Sequence, residues 1–335
     1  MSEVSPAGKR VTNMEKQTYL AEARRLGACF SAASLFEVCV TPSPGLVSPR
    51  DTGAHDDMNH LTFMIGSSVL ASYFTEFARL GLEEPDQTPK ELFEKLRSVG
   101  RDAERELLEA SHGVNTQRGQ LFLLGIAAGV AGLCLARGQK VPSLEFYGTV
   151  REACAGLCAR ELPEADLGYL GRQADLQNLQ SVENLRRLER AATGARGEAE
   201  AGFPVVEKVG YPAFEHGLRC SLGLNDSAVH ALISMMSVVV DTTVLRRLGA
   251  SGIELMHETS RRILDCGSVF THRGREMILE AHDTFSRMRL SPGGAADLLA
   301  LTIALYFVDQ GFPSSELLLT PSLFGGTPPN VAVRI

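Results

Sequence analysis

An all-α fold is the prediction, and three observations carry it. Apolar residues recur at three- and four-residue spacing through most of the chain, alternating strand-like patterns are almost absent, and helix-start chemistry stands where periodic stretches begin. Residues 14–40, about 60–81, 88–111, 119–137, 143–160, 226–240, 272–289 and 295–309 each place apolar side chains on a helical face.

The punctuation between these stretches agrees with that reading. Thr88 before Pro89, with Glu91 three residues after the threonine, is a capping box with proline at the first helical position. Asn225 or Asp226 can cap the helix that follows them. No composition break and no solenoid-like period appears, so about ten helices belong to one globular domain over residues 14–310. Residues 1–13 read as a disordered lead. The tail 311–335, rich in Pro, Gly and Ser, reads as loose or draped over the surface.

With 335 residues, 44% hydrophobic and 22% charged, the chain can bury a full core and has the composition of a soluble globular protein. Its formal net charge of −7 argues against a broad grip on nucleic acid, so a polyanionic ligand must be met by local arginines, backbone amides or a divalent cation. MSEVSPAGKRVTNMEK lacks an apolar signal core, and no stretch reaches about 18 uninterrupted apolar residues, so the expectation is a cytoplasmic protein with no membrane partner. The seven cysteines are scattered and read as reduced thiols in helical surroundings; Cys154 and Cys158 lack a neighbouring pair to complete a zinc site.

The informative places are where the helical pattern stops. TPSPGLVSPRDTGAHDDM (41–58), GVNTQRG (113–119), TGARGEAEAGFP (193–204), DTTVLRRLG (241–249) and SPGGAADLL (291–299) combine glycine or proline with polar and charged residues. Glycine lets a backbone approach a ligand closely, and a helix opening after Gly or Ser offers amides that favour anions. In this order, across roughly residues 30–310, the five segments resemble the triphosphoribosyl-dephospho-CoA synthase family, with the GARGEAEAG run the most specific.

The resemblance implies an all-α enzyme that joins the ribose C1 of ATP to a ribose hydroxyl of 3'-dephospho-CoA and releases adenine. Such a displacement passes through an oxocarbenium-like transition state, which a carboxylate near C1, a proton donor for the leaving group and a base for the hydroxyl all assist. A triphosphate on an acidic protein also calls for Mg²⁺.

Candidates for each role stand in the five segments. His55 and Asp57 are read as functional, Asp57 as metal ligand or base and His55 as phosphate donor or proton carrier, while Asp56 caps the helix beginning near Met58. Pro44 and Gly45 belong with the nucleotide-binding set, in a stretch that its prolines hold extended. Glu37 and Glu104 match acidic positions of the family; a solvated helix end and a charged surface face are their rival readings. Asn115, Thr116, Arg118 and Gly119 suit phosphate or ribose at a helix start, against a simple Asn or Thr cap. Ser291, Gly293 and Gly294 repeat that logic, with Asp297 either a dipole-compensating acid or a metal ligand. Asp241 ends the apolar run SMMSVVV and needs a partner, for which Arg246 or Mg²⁺ would serve.

In the glycine-rich run, Arg196 and Gly197 are assigned to phosphate, and Glu198 and Glu200 to metal or ribose. If the run is helical, Arg196 and Glu200 can pair across one turn and leave Glu198 as the reactive group. The expected set is thus catalytic His55, Asp57, Glu198, Glu200 and Asp241, with Mg²⁺ on Asp57, Asp241 and Asp297. Ser43, Gln117, Arg118, Thr243 and Ala295 depart from the family pattern of lysine, histidine, lysine, asparagine and serine. They leave open an acceptor other than dephospho-CoA; a nucleotide glycohydrolase would use the same parts, while the retained Arg196, Glu198, Glu200, Asp57 and Asp241 argue against a binding protein without turnover.

Overall fold

The computed structural model describes residues 13–162 and 192–325, and every described regular element is helical. The expected lead before residue 13 and the tail beyond residue 325 lie outside those residues. A long helix α1 (Asn13–Cys39) is followed by α2 (His60–Glu83), α3 (Pro89–Ala110), α4 (Arg118–Ala136), α5 (Leu144–Cys154) and α6 (Leu157–Glu161). After the gap come α7 (Gly194–Glu200), a π-turn (Val206–Gly210), α8 (Tyr211–Arg219), α9 (Leu224–Met236), α10 (Thr242–Asp265), α11 (His272–Met288), α12 (Gly293–Gln310) and α13 (Ser315–Leu319).

Two helices form the centre, and their composition explains why. In α4 the run from Leu121 to Cys134 is buried almost without exception, and α12 is as apolar on every side. A helix that is hydrophobic all round must be surrounded, and α1, α2, α3 and α5 pack on α4 while α1, α9 and α10 pack on α12. By length and composition α4 could cross a membrane, a span the search for uninterrupted apolar residues passed over, yet 78% of that window is buried inside the protein. All seven cysteines are free.

The capping box at Thr88 is present, with Glu91 Oε2 accepting from Thr88 N at 2.8 Å. Other starts are corrected. Helix α2 begins at His60 and is capped by Asn59, whose Oδ1 accepts from Leu61 and Thr62, so Asp56 is free to pair with Arg289 at 2.5 Å. The 143–160 stretch breaks at Gly156, with φ 76°, between α5 and α6. The helical period through residue 240 stops at Met236, and α10, which the periodicity did not single out, occupies 242–265.

Helix α10 is two segments joined at Gly249, whose φ of 67° and ψ of −160° lie in a region open essentially to glycine alone. The first segment ends with Arg246, Arg247 and Leu248, held at a fixed angle to the rest.

Asn225 and Asp226 do not cap α9. Asn225 Oδ1 accepts from Thr41 N at 2.9 Å and its Nδ2 donates to Thr41 O at 2.7 Å, a two-point grip on the start of the 41–58 loop. Buried Asp226 accepts from Ser322 Oγ and Leu323 N, both at 2.6 Å, and Asn225 Nδ2 also donates to Ser322 Oγ at 3.1 Å. The C-terminal segment and the loop are thereby tied to the same pair of side chains.

Candidate active site

Four helix ends meet around three carboxylates. Glu37 lies in the last turn of α1, Asp297 in the second turn of α12, and Asp241 immediately before α10. Asp241 is 1% exposed. Its Oδ1 accepts from Thr243 N at 2.8 Å and Val244 N at 3.1 Å, and its Oδ2 from Ala295 N at 3.1 Å, so one carboxylate caps α10 and α12 together. The partner expected from sequence was Arg246 or a metal; the partners found are backbone amides.

Asp297 reaches the start of α4, where Gln120 N donates to it. A Cβ on Gly119 would lie 2.0 Å from Asp297 Oδ2, so the glycine admits a protein carboxylate. Gly294 does the same for Asp241 at 3.0 Å. The amides and glycines assigned to phosphate at Gly119 and Gly294 are thus used by Asp297 and Asp241. Gly45 likewise serves packing, since a Cβ there would meet Leu290 O at 2.0 Å.

Burial and mutual repulsion raise the proton affinity of this group. Glu37 is 6% exposed and its carboxyl is pushed up to about 8 by burial, against one hydrogen bond from Gln120 Nε2 at 3.4 Å. Asp297 is raised well above the usual carboxylate range, by burial first and then by the charges of Glu37 and Asp241. Asp241 is also raised by burial, which its amide bonds oppose. Behind Glu37 lies a buried polar network in which Gln117 Nε2 donates to Ser34, Ser67 and Gln120 Oε1, the last at 3.0 Å. Gln117 stands where the family has histidine, and here it joins this network. Gln120, which links the network to both Glu37 and Asp297, carried no motif signal in the sequence.

Beside the carboxylates, the 41–58 loop presents His55. Its Nε2 lies 2.8 Å from Ser291 Oγ, and its Nδ1 lies 3.3 Å from Arg247 Nη2 and 3.5 Å from Asp57 Oδ1. A guanidinium only donates, so Nδ1 accepts from Arg247 and the ring proton sits on Nε2, facing Ser291. Burial, then Arg247, holds the imidazole below its ordinary value and so neutral at neutral pH. Asp57 is exposed and stays with His55; it does not join Asp241 and Asp297 as the expected metal set required. The loop itself is anchored by buried His282, whose Nδ1 donates to Ser43 O at 2.9 Å while Nε2 meets Asp51 Oδ2 at 2.9 Å.

The remaining candidates divide sharply. Arg118 is ion-paired with Glu104, so two residues expected at the nucleotide neutralise each other. Arg196 pairs with Glu161 at 2.8 Å, and Glu200 caps α6 through Gly156 N at 2.7 Å and Cys158 N at 3.1 Å. The run is helical, as α7, but Arg196 and Glu200 do not pair with each other. Glu198 is left with Val205 N at 3.3 Å, and burial raises it to about 7. Asn115 is exposed, and Thr116 Oγ1 is buried without a partner. Arg246 is exposed. Arg247, which sequence reasoning passed over, is the arginine that touches the site. The signal was in the DTTVLRRLG segment, where Arg247 stands one helical turn after Thr243; the structure then places Thr243 at Gly293, whose Cβ would lie 3.4 Å from its Oγ1.

Carboxyl groups of raised proton affinity gathered at helix ends beside a histidine and an arginine are features of an enzyme's active site, here in an all-helical frame. Residues 23–316 match the family described as ATP:dephospho-CoA triphosphoribosyl transferase, and the chain belongs to that family of transferases. It is 32% identical over 285 residues to a 2-(5''-triphosphoribosyl)-3'-dephosphocoenzyme-A synthase of Klebsiella pneumoniae, covering 85% of this chain and 90% of the relative. A probable synthase of the same name from Malonomonas rubra is 32% identical over 85% of this chain and 88% of its own length. Another from Lactiplantibacillus plantarum is 34% identical over 81% and 92%. No solved structure matches the chain.

Proposed function

We propose that this chain performs the family's reaction at the four helix ends, transferring the triphosphoribosyl group of ATP to a ribose hydroxyl of 3'-dephospho-CoA. The C1–N bond to adenine breaks, the C1–O bond to the acceptor forms, the hydroxyl proton passes to a base and adenine leaves protonated. The observation that carries this reading is the cluster of three carboxylates, buried Glu37 and Asp241 with Asp297 in electrostatic reach of both, a set suited to stabilise a positively charged ribose.

The roles follow from the contacts. Asp241, held by amides from two helices, is the fixed negative charge. Glu198, with a proton affinity near neutrality, is the proton-transfer group. His55, between Ser291 at Nε2 and Arg247 at Nδ1 with Asp57 nearby, carries protons between the loop and solvent. Among the described residues no group of three His, Cys, Asp or Glu side chains forms a ready metal cage. Magnesium at nucleotide sites is held by one or two carboxylates and phosphate oxygens. Glu37 and Asp297, repelling each other and poorly supplied with donors, fit that demand. Bound there, the ion would supply neutralising charge for the triphosphate. The reduced thiols and the small-molecule substrates support work in the cytoplasm.

The test is to incubate the protein with ATP, Mg²⁺ and dephospho-CoA and follow free adenine and the mass of the nucleotide product. Adenine formed only with dephospho-CoA present supports the reading. Adenine without an acceptor would make the chain a glycohydrolase, and binding without adenine for any acceptor would end the transferase assignment.

A further inference from the structure

The helix starts that invite an anion are already occupied by protein carboxylates. Asp241 takes amides of α10 and α12, and Asp297 takes Gln120 N at α4. Arg118 and Arg196, the next obvious phosphate ligands, are engaged by carboxylates, Arg118 by Glu104 and Arg196 by Glu161, which Arg97 also meets. A polyphosphate entering this acidic region must therefore be met by other cationic groups.

Arg247 is placed for that task. Among the described residues it makes no ion pair. Its guanidinium donates to Ala54 O at 3.3 Å, to Arg289 O at 3.5 Å and to His55 Nδ1 at 3.3 Å. It lies within electrostatic reach of both Asp57 and Asp241, which puts it beside the carboxylates without being bonded to them. Arg246 and Arg289 repel it from nearby. Of these three guanidiniums, Arg289 has a carboxylate partner, Asp56 at 2.5 Å, and that partner is exposed. Like charges held together in a protein of net charge −7 create a local positive field, and a fork of N–H donors suits phosphate oxygens. Gly249 keeps the short segment bearing Arg246 and Arg247 at its angle to the rest of α10.

We propose that Arg247, flanked by Arg246 and oriented by its contact with His55 Nδ1, is the polyphosphate seat of the site, with Arg247 making the direct contact. The ligand class is a linear polyphosphate ester, either the triphosphate of the nucleotide donor or the diphosphate of the acceptor. The assignment rests on the transferase reading for its substrates, but its binding test does not require turnover.

The experiment measures, by calorimetry, binding of inorganic tripolyphosphate, ATP, adenosine and dephospho-CoA to the wild type and to Arg247→Ala, Arg247→Lys and Arg246→Ala. Loss of a charged, hydrogen-bonded contact predicts roughly 10- to 100-fold weaker tripolyphosphate binding to Arg247→Ala, with adenosine binding unchanged. Arg247→Lys keeps the charge without the fork and recovers part of the affinity, which also separates the effect from misfolding. A parallel loss for ATP assigns the seat to the donor, and a parallel loss for dephospho-CoA assigns it to the acceptor. Wild-type affinity of Arg247→Ala for tripolyphosphate, ATP and dephospho-CoA overturns the proposal. If Arg247 governs polyphosphate binding while no adenine is ever released, the seat stands and the transferase reading falls.

Discussion

Replacing Glu37 by glutamine should make the protein more stable as it makes it inactive. Glu37 titrates at about 8 in the folded protein against an ordinary 4.5, so the folded state binds its proton more tightly than the unfolded state does. Below pH 4.5 the carboxyl is neutral in both states and contributes no penalty. As pH rises the unfolded chain ionises first, and each pH unit up to about 8 costs about 1.4 kcal/mol of folding stability. The penalty is on the order of 1 kcal/mol at pH 5, about 3 at pH 7 and about 4 at pH 8. Glutamine is isosteric, keeps an oxygen for Gln120 Nε2 and never ionises. Urea denaturation of wild type and Glu37→Gln in magnesium-free buffer at pH 5, 7 and 8 should show a gap that favours the variant and widens with pH. A gap of constant size, or a variant less stable at pH 8, would refute the claim that burial opposes ionisation of Glu37. The same variant should lose adenine release at every pH.

Glu198→Gln should lower kcat by at least about a hundredfold, as expected for loss of a proton-transfer group. It should also remove an ionisation near pH 7 from the pH profile of kcat/KM; an unchanged profile would take Glu198 out of the proton path. Gly249→Ala meets no atom within 4 Å, so its cost is backbone strain alone, about 1–3 kcal/mol in a denaturation experiment. Stability equal to wild type would show that the kink is not needed. Asn225→Ala removes both bonds to Thr41 and should raise KM for ATP more than it lowers kcat; a pure stability loss with wild-type KM would confine Asn225 to a structural role.

How far the sequence could be read depended on whether the cause was local. Helices α2, α3, α4, α11 and α12 are strongly periodic or uniformly apolar, and the Thr88 cap is written in four consecutive residues. Helix α10 was hidden because it opens with two β-branched threonines and is bent at Gly249, so its buried positions, Ile253, Met256 and Ile263, do not line up with those before the bend. In the site, the right segments were visible and the pairings were not. Nothing near Arg118 in the sequence announces Glu104, and nothing near Arg196 announces Glu161 across the intervening chain. Glu198 was selected on the supposition of an Arg196–Glu200 pair. It is left without that cation for a different reason, because Arg196 is drawn to Glu161 while Glu200 caps α6.

The grip of Asn225 and Asp226 ties the segment at Ser322 and Leu323 to assembly of the site. Thr41 opens the loop that delivers His55, yet the side chains that hold Thr41 are themselves ordered by Ser322 and Leu323, some 280 residues later in the chain. During synthesis the helices of the first half can form as they emerge, since their contacts are largely with one another. The loop acquires its last anchor only when the final turns have been made. A chain stopped before residue 322 would therefore hold the loop through His282, Ser291 and Arg247 but lack the clamp that Ser322 and Leu323 place on Asn225 and Asp226.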